Sequence, residues 1–132
     1  MSEPLVYIDH SDIREGKLDD VKAAIHALAT FVEIHEPQLL AYGFYLNEDA
    51  MRIAVVAIHP NSESLETHME IGGPEFRKFS NLINLHTIEV FGRPSAKALE
   101  QLHHKAAMLG EDGRVVVHAQ SAGFVRLASA MA

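Results

Sequence analysis

The chain has 132 residues, a length that fits one domain around one hydrophobic core. Hydrophobic residues make up 48% and charged residues 22%, the balance of a folded globular chain rather than a disordered one. Eleven Lys and Arg against eighteen Asp and Glu give a net charge of −7, so a binder of nucleic-acid backbone, which needs a cationic face, is excluded as a class.

Leu5-Val6-Tyr7-Ile8 is β-branched and aromatic and predicts a short first strand, giving way to the polar stretch from Asp9 to Gly16. Leu18, Val21, Ile25, Leu28 and Val32 then recur at spacings of three and four, the stripe of an amphipathic helix. Asp19 and Asp20 in its first turn favour the positive end of the helix dipole. Glu36-Pro37 ends it, because the residue before proline avoids helical dihedrals. Leu39–Leu46 and Met51–His59 read as two strands joined by the polar turn Asn47-Glu48-Asp49-Ala50, hence a hairpin.

Asn61 is placed to cap a short helix through Glu70 that turns Leu65 and Met69 inward. Gly72-Gly73 is expected to interrupt it, with Pro74 opening a second helical segment that carries Phe76, Phe79, Leu82 and Ile83. His86–Gly92 reads as a fourth strand, and Ser95 as the cap of a third helix with Leu99, Leu102, Ala106 and Leu109. Asp112-Gly113 turns the chain into a fifth strand, Arg114–His118, before an apolar tail around Phe124-Val125.

The predicted order is β-α-β-β-α-β with an α-β addition, an α+β chain of the ferredoxin-like split βαβ kind. It reads as one domain over residues 1–132, with a core at 5–93 and a C-terminal helix-strand extension at 95–132. Val6 and Ile8, and Ala54, Val56 and Ile58, alternate with residues that are also mostly apolar, so both faces of the sheet are apolar. Helices cover one face only, and a homodimer through the other is the expected solution. No apolar run is long enough to span a bilayer, and Met1–Pro4 runs straight into a strand, so neither a membrane partner nor a secretory signal is expected. The lack of cysteine rules out disulfides, thiolate metal sites and cysteine nucleophiles, and suits a cytoplasmic protein.

Three stretches resemble the dimeric α+β barrel superfamily, in its antibiotic biosynthesis monooxygenase-like branch. They are Arg14-Glu15-Gly16-Lys17-Leu18-Asp19, the run from Glu36-Pro37 to Tyr42-Gly43-Phe44-Tyr45, and Leu65-Glu66-Thr67-His68-Met69. The resemblance implies a dimer with facing sheets and a small-molecule pocket between sheet and helices in each subunit. It also implies cofactor-free oxygenation of an aromatic polyketide, quinol oxygenation or haem degradation, in a family many of whose members have no known activity. By position, Asp9 stands near the Asn of the haem-degrading branch and His68 near its Trp. With no tryptophan in the chain, and Phe76-Arg77-Lys78-Phe79-Ser80 where the iron-ligating histidine would fall, haem degradation is not expected.

His68 shares the apolar side of its helix with Leu65 and Met69, so its imidazole is expected to be part-buried, either as a general base or as a hydrogen-bonded core residue. Asp9 either accepts a proton or orients His68, or else caps the turn at Ser11-Asp12. Tyr7, Tyr42 and Tyr45 are strand phenols that orient a substrate hydroxyl or simply pack, and Phe76 and Phe79 supply apolar pocket walls. Glu89 reads as an edge-strand charge or a buried carboxylate.

Nine histidines raise a metal reading, but their spacing gives no ligand motif. Leu39 fills the fifth position of the stretch that starts at His35, and the adjacent His103 and His104 point about 100° apart on a helix. Only a convergence of His59, His68, His86 and His118 would supply a site. The leading expectation is a cofactor-free, metal-free monooxygenase-like homodimer acting on a small aromatic or enolic molecule, with His68 and Asp9 catalytic and Tyr7, Tyr45, Phe76 and Phe79 around the pocket. The alternative is a non-catalytic, small-molecule-binding or stress-associated barrel.

Overall fold

The structure, a computed structural model, describes residues 3–126. Strand β1 (Leu5–Ile13) is followed by helix α1 (Leu18–His35), strands β2 (Ala41–Asn47) and β3 (Arg52–His59), and helix α2 (Ser62–Phe76). Strand β4 (Ile83–Phe91), helix α3 (Ala96–Leu109) and strand β5 (Arg114–His118) complete the order. One sheet, β2-β3-β1-β4-β5, is antiparallel except for the parallel β4–β5 pair, which α3 connects. This is the expected α+β, ferredoxin-like βαββαβ arrangement with an αβ extension at the β4 edge.

The α1 stripe buries Val21, Ile25, Leu28 and Val32 as its spacing demands. Its helix is entered through Gly16, whose φ of 77° favours a residue without a Cβ. Asn61 accepts a hydrogen bond from the Ser64 amide, and Ser95 one from the Ala98 amide, so both expected caps form. Alternation along β1 turns Leu5, Tyr7, Asp9, Ser11 and Ile13 toward the helices. The polar half of this segment is therefore strand, not turn, and Asp9 lies mid-strand on the core side.

Two other expectations are corrected. Helix α2 does not break at Gly72-Gly73 but runs through Pro74 to Phe76, then tightens into a single 3-10 turn over Arg77–Phe79. Continuity is favoured by burial: Leu65, Met69, Gly72 and Phe76 form one stripe at helical spacing against the core. Strand β4 begins at Ile83 rather than His86, because a bulge opposite His10 and Ser11 shifts its alternation. Ile83 and Leu85 are thereby brought onto the same side as Ile88 and Val90. Strand β5 covers β4, so Glu89 does not stand on a sheet edge.

Gly72 lies under the Phe76 ring, and a Cβ there would come within 2.5 Å of the ring's Cζ. Helix propensity alone makes Gly→Ala stabilising by about 1 kcal/mol. We expect Gly72→Ala to be destabilising instead, by about 1–2 kcal/mol in urea unfolding, because the ring must leave its seat.

Candidate functional site

Helix α3 repeats apolar residues at Ala98, Leu102, Ala106 and Leu109, and Lys105 falls on the same buried side. Its ammonium, on a side chain only 7% exposed, is carried into the layer between helices and sheet. Lys105 Nζ donates to Tyr7 Oη at 2.8 Å and lies 3.4 Å from Asp9 Oδ2. Tyr7 Oη in turn donates to Asp9 Oδ2 at 2.5 Å. The ammonium also sits 4.3 Å above the centre of the Phe76 ring, a cation–π contact. Burial pushes Lys105 below the usual lysine range, with Asp9 acting against that shift. Burial, then the neighbouring charge of Asp9 and the hydrogen bond to it, holds the Tyr7 phenol well above its ordinary range, so it stays a donor.

Beside this cluster lies a second one. His68, at the expected place on α2, is buried, and its Nδ1 meets both oxygens of Glu36 at 2.7 and 2.9 Å. Glu36 comes from the end of α1, where proline stops the helix and the chain turns toward β2. A glutamate accepting at Nδ1 fixes the tautomer whose Nε2 carries the lone pair. Tyr42, His59 and Phe76 pack around the His68 ring with centroid separations of 5.3, 5.5 and 5.2 Å. Burial lowers the His68 pKa, with Glu36 opposing. His59, whose Nδ1 pairs with Ser64 Oγ at 2.8 Å, is pushed down to about 3 by burial and by the charges of His68 and Lys105. Its Nε2 is buried without a hydrogen-bond partner among the described residues. Burial and the charges of Asp9 and Glu36 raise the Tyr42 phenol well above its ordinary range.

Two spaces meet at the first cluster. An inner cavity of about 30 Å³ is lined by Asp9, Ser11, Tyr42, Phe76, Phe79 and Lys105, together with core aliphatics. Ser11 Oγ is buried there without a hydrogen-bond partner among the described residues. Outside, a cleft of about 620 Å³ opens between α2 and α3, and Phe76 and Lys105 form the wall common to both spaces. His68 lines neither. A further depression of about 410 Å³ reaches Glu36 and Tyr42 from the side of α1 and β2.

Of the residues singled out in the sequence, Tyr7, Asp9, Phe76 and Phe79 are therefore brought together. Asp9 does not orient His68; Glu36 does. Tyr45 is not in this group. It lies on the opposite face of the sheet and is 62% exposed, because β2 turns Tyr42 and Phe44 inward and Tyr45 outward. The four histidines do not converge either. His86 bonds Asp12 and His118 bonds Glu89 on the face away from the helices, while His59 and His68 are interior. Among the described residues no three His, Asp or Glu side chains gather in a way that would hold a metal ion.

Lys105, Glu36 and Ser11 were not legible as site residues from composition alone, yet one signal was present. Lys105 interrupts an apolar stripe three residues after Leu102 and four before Leu109, where a charge is costly unless paired.

The buried neutral His59 has a consequence for pH. Its folded pKa is depressed to about 3, so between that value and the ordinary histidine pKa of about 6.5 the unfolded chain binds the extra proton. Stability is then lost as pH falls through this window, by up to about 1.4 kcal/mol per pH unit for each such histidine. Urea unfolding from pH 6.5 down to 4 is expected to show this slope, and His59→Leu to flatten it. An unchanged slope in the variant would remove His59 as its cause.

No protein-family profile and no curated protein matches the sequence. Solved structures do. The chain is similar to MupZ from Pseudomonas fluorescens at 18% identity and a TM-score of 0.72, over 94% of this chain and 95% of that one. It is similar to SnoaB, a cofactor-independent oxygenase from Streptomyces nogalater, at 10% identity and a TM-score of 0.59, over 72% of this chain and 97% of that one. It is also similar to a putative antibiotic biosynthesis monooxygenase from Chloroflexus aurantiacus, at 17% identity and a TM-score of 0.54, over 67% of this chain and 90% of that one. The chain thus shares the ferredoxin-like α+β fold of these solved structures, with α3 and β5 following its βαββαβ core.

Proposed function

We propose that the protein is a cofactor-independent, monooxygenase-like enzyme that removes a proton from a small aromatic or enolic molecule and lets the resulting anion react with dioxygen. The observation that carries this reading is the buried Tyr7–Asp9–Lys105 cluster, of which Asp9 and Lys105 line the inner cavity and Lys105 also the outer cleft. Asp9 Oδ2 is engaged by Tyr7 and Lys105, and its Oδ1 makes no hydrogen bond among the described residues, leaving that oxygen as the base.

Charge balance supports the assignment. A buried ammonium needs one anion beside it. When the proton passes from a substrate beside Lys105 to Asp9, by way of a water molecule in the inner cavity that Asp9 lines, negative charge leaves Asp9 and appears on the substrate next to the same Lys105. The cation therefore stays paired throughout, and its fixed position stabilises the developing enolate or phenolate. With dioxygen as co-reactant, a CH₂ group is oxidised to a carbonyl. Dioxygen takes four electrons, one of its atoms stays in the product, and the other leaves as water with the two protons lost from carbon. His68, held by Glu36 and outside both spaces, is assigned a positioning role through its packing on Phe76 and Tyr42.

The proposed assembly is a homodimer through the open face of the sheet. Val6, Ile8, Val56 and Ile58 on that face support it, since no helix among the described residues covers them. Among the described residues no helix is long and apolar enough to cross a membrane.

Dithranol, an anthrone with an acidic methylene group, tests the chemistry. The protein is expected to accelerate deuterium exchange at that carbon without dioxygen and oxygen uptake with it. Asp9→Asn should lower both rates by about 10²–10⁴-fold and Lys105→Met by about 10²–10³-fold, while His68→Gln keeps most of the exchange rate. Absence of both reactions across anthrones and enols of this size would favour the non-catalytic binding reading.

A further inference from the structure

Size separates the two spaces at the Tyr7–Asp9–Lys105 cluster. The inner cavity, about 30 Å³, admits a water molecule or two and no organic substrate. The outer cleft, about 620 Å³, is within the range of small-molecule sites. A substrate that meets Lys105 therefore has to approach from between α2 and α3. One wall of that cleft belongs to the C-terminal extension, so the αβ addition builds a site that the ferredoxin-like core lacks.

The lining has a definite chemistry. Met69, Pro74, Phe76 and Met108 give an apolar surface, and thioether side chains adapt to the outline of a flat ring. Lys97 in the lining is committed to Glu70 at 2.7 Å, and Lys105 to Asp9. Arg77, at the end of α2, is in the lining with no ion-pair partner among the described residues. Glu100, on the α3 side of the lining, likewise makes no ion pair among the described residues, and it stands on the opposite helix from Arg77. In a chain of net charge −7, this leaves a free guanidinium beside an apolar cleft that ends on a buried ammonium.

We infer that the cleft between α2 and α3 is a binding site for a flat, apolar molecule bearing a carboxylate or similar anionic group, its ring against Phe76 and the two methionines and its anion on Arg77. The inference names the substrate class of the proposed enzyme and rests on that reading for its purpose, but not for its test. The guanidinium fork suits a carboxylate in bidentate fashion, and the ring would lie next to Lys105, where the reacting oxygen is to be stabilised.

Calorimetric titration with naphthoate, and with the neutral naphthalenemethanol as its matched control, reads binding without turnover. Wild-type protein is expected to bind naphthoate about tenfold more tightly than the alcohol, with the difference shrinking at high salt. Arg77→Gln should remove that preference and leave the alcohol unchanged. Met108→Trp, which fills the cleft, should weaken both by tenfold or more. Circular dichroism would establish that both variants fold. Equal affinity for acid and alcohol, binding that survives Met108→Trp, or no binding of either ligand at millimolar concentration would each overturn the inference. Naphthoate binding with this pattern in a protein that neither exchanges nor oxidises dithranol would uphold the site and remove the oxygenase reading instead.

Discussion

A lysine ammonium held inside the protein against one carboxylate and one phenol is the constraint on which this structure turns. Taking Lys105 and Asp9 out of water costs several kcal/mol per ion, against which stand their 3.4 Å contact, the hydrogen bonds that both make with Tyr7 and the ammonium's place over the Phe76 ring. A pair of apolar side chains of similar volume would serve the core as well or better. The charges thus point toward chemistry rather than packing, in the sense that perturbed ionisable groups gather where proton transfer is done. The fold supplies the setting. β1 presents Tyr7 and Asp9 two residues apart on one face, and α3 crosses above them to deliver the lysine.

Phe76 organises the space around that pair. It takes the ammonium on its face, packs against His68 and stands between the inner cavity and the outer cleft. The ring can occupy that position because Gly72, one turn earlier, leaves its seat empty. The Gly-Gly-Pro run that looks like a helix break is therefore better understood as the means of closing the helix over an aromatic wall. Pro74 forgoes one helical hydrogen bond near the C-terminal end of α2, where the chain is about to tighten into a 3-10 turn.

The fold was largely legible in the sequence because it is written in periodicity. The α1 stripe, the hairpin and the two caps at Asn61 and Ser95 are local signals, and each appears where it was read. The misreadings have local causes as well. Asp9, Ser11 and the other polar residues of β1 resemble a turn in isolation, and only the neighbouring strands β3 and β4 hold them in the sheet. A bulge reverses the alternation of β4, which hides Ile83 and Leu85 from a period-two pattern. The site was legible in part. Tyr7, Asp9, Phe76 and Phe79 could be named, whereas Glu36 and Lys105 are partners over 32 and 96 residues, and no local spacing encodes such a pairing. Tyr45 was misplaced by one step of strand alternation, which is enough to move a side chain to the other face.

The most direct test of the central claim is the stability of the combined variant Tyr7→Phe, Asp9→Leu, Lys105→Met, measured by urea unfolding beside its rate of methylene exchange on dithranol. The three substitutions add no non-hydrogen atom, so they do not overfill the core. If the cluster is kept for proton transfer, the variant will be as stable as the parent or more so, and it will not exchange. A variant that loses several kcal/mol of stability would show that the three residues hold the fold together, and that the chemistry has to be sought elsewhere.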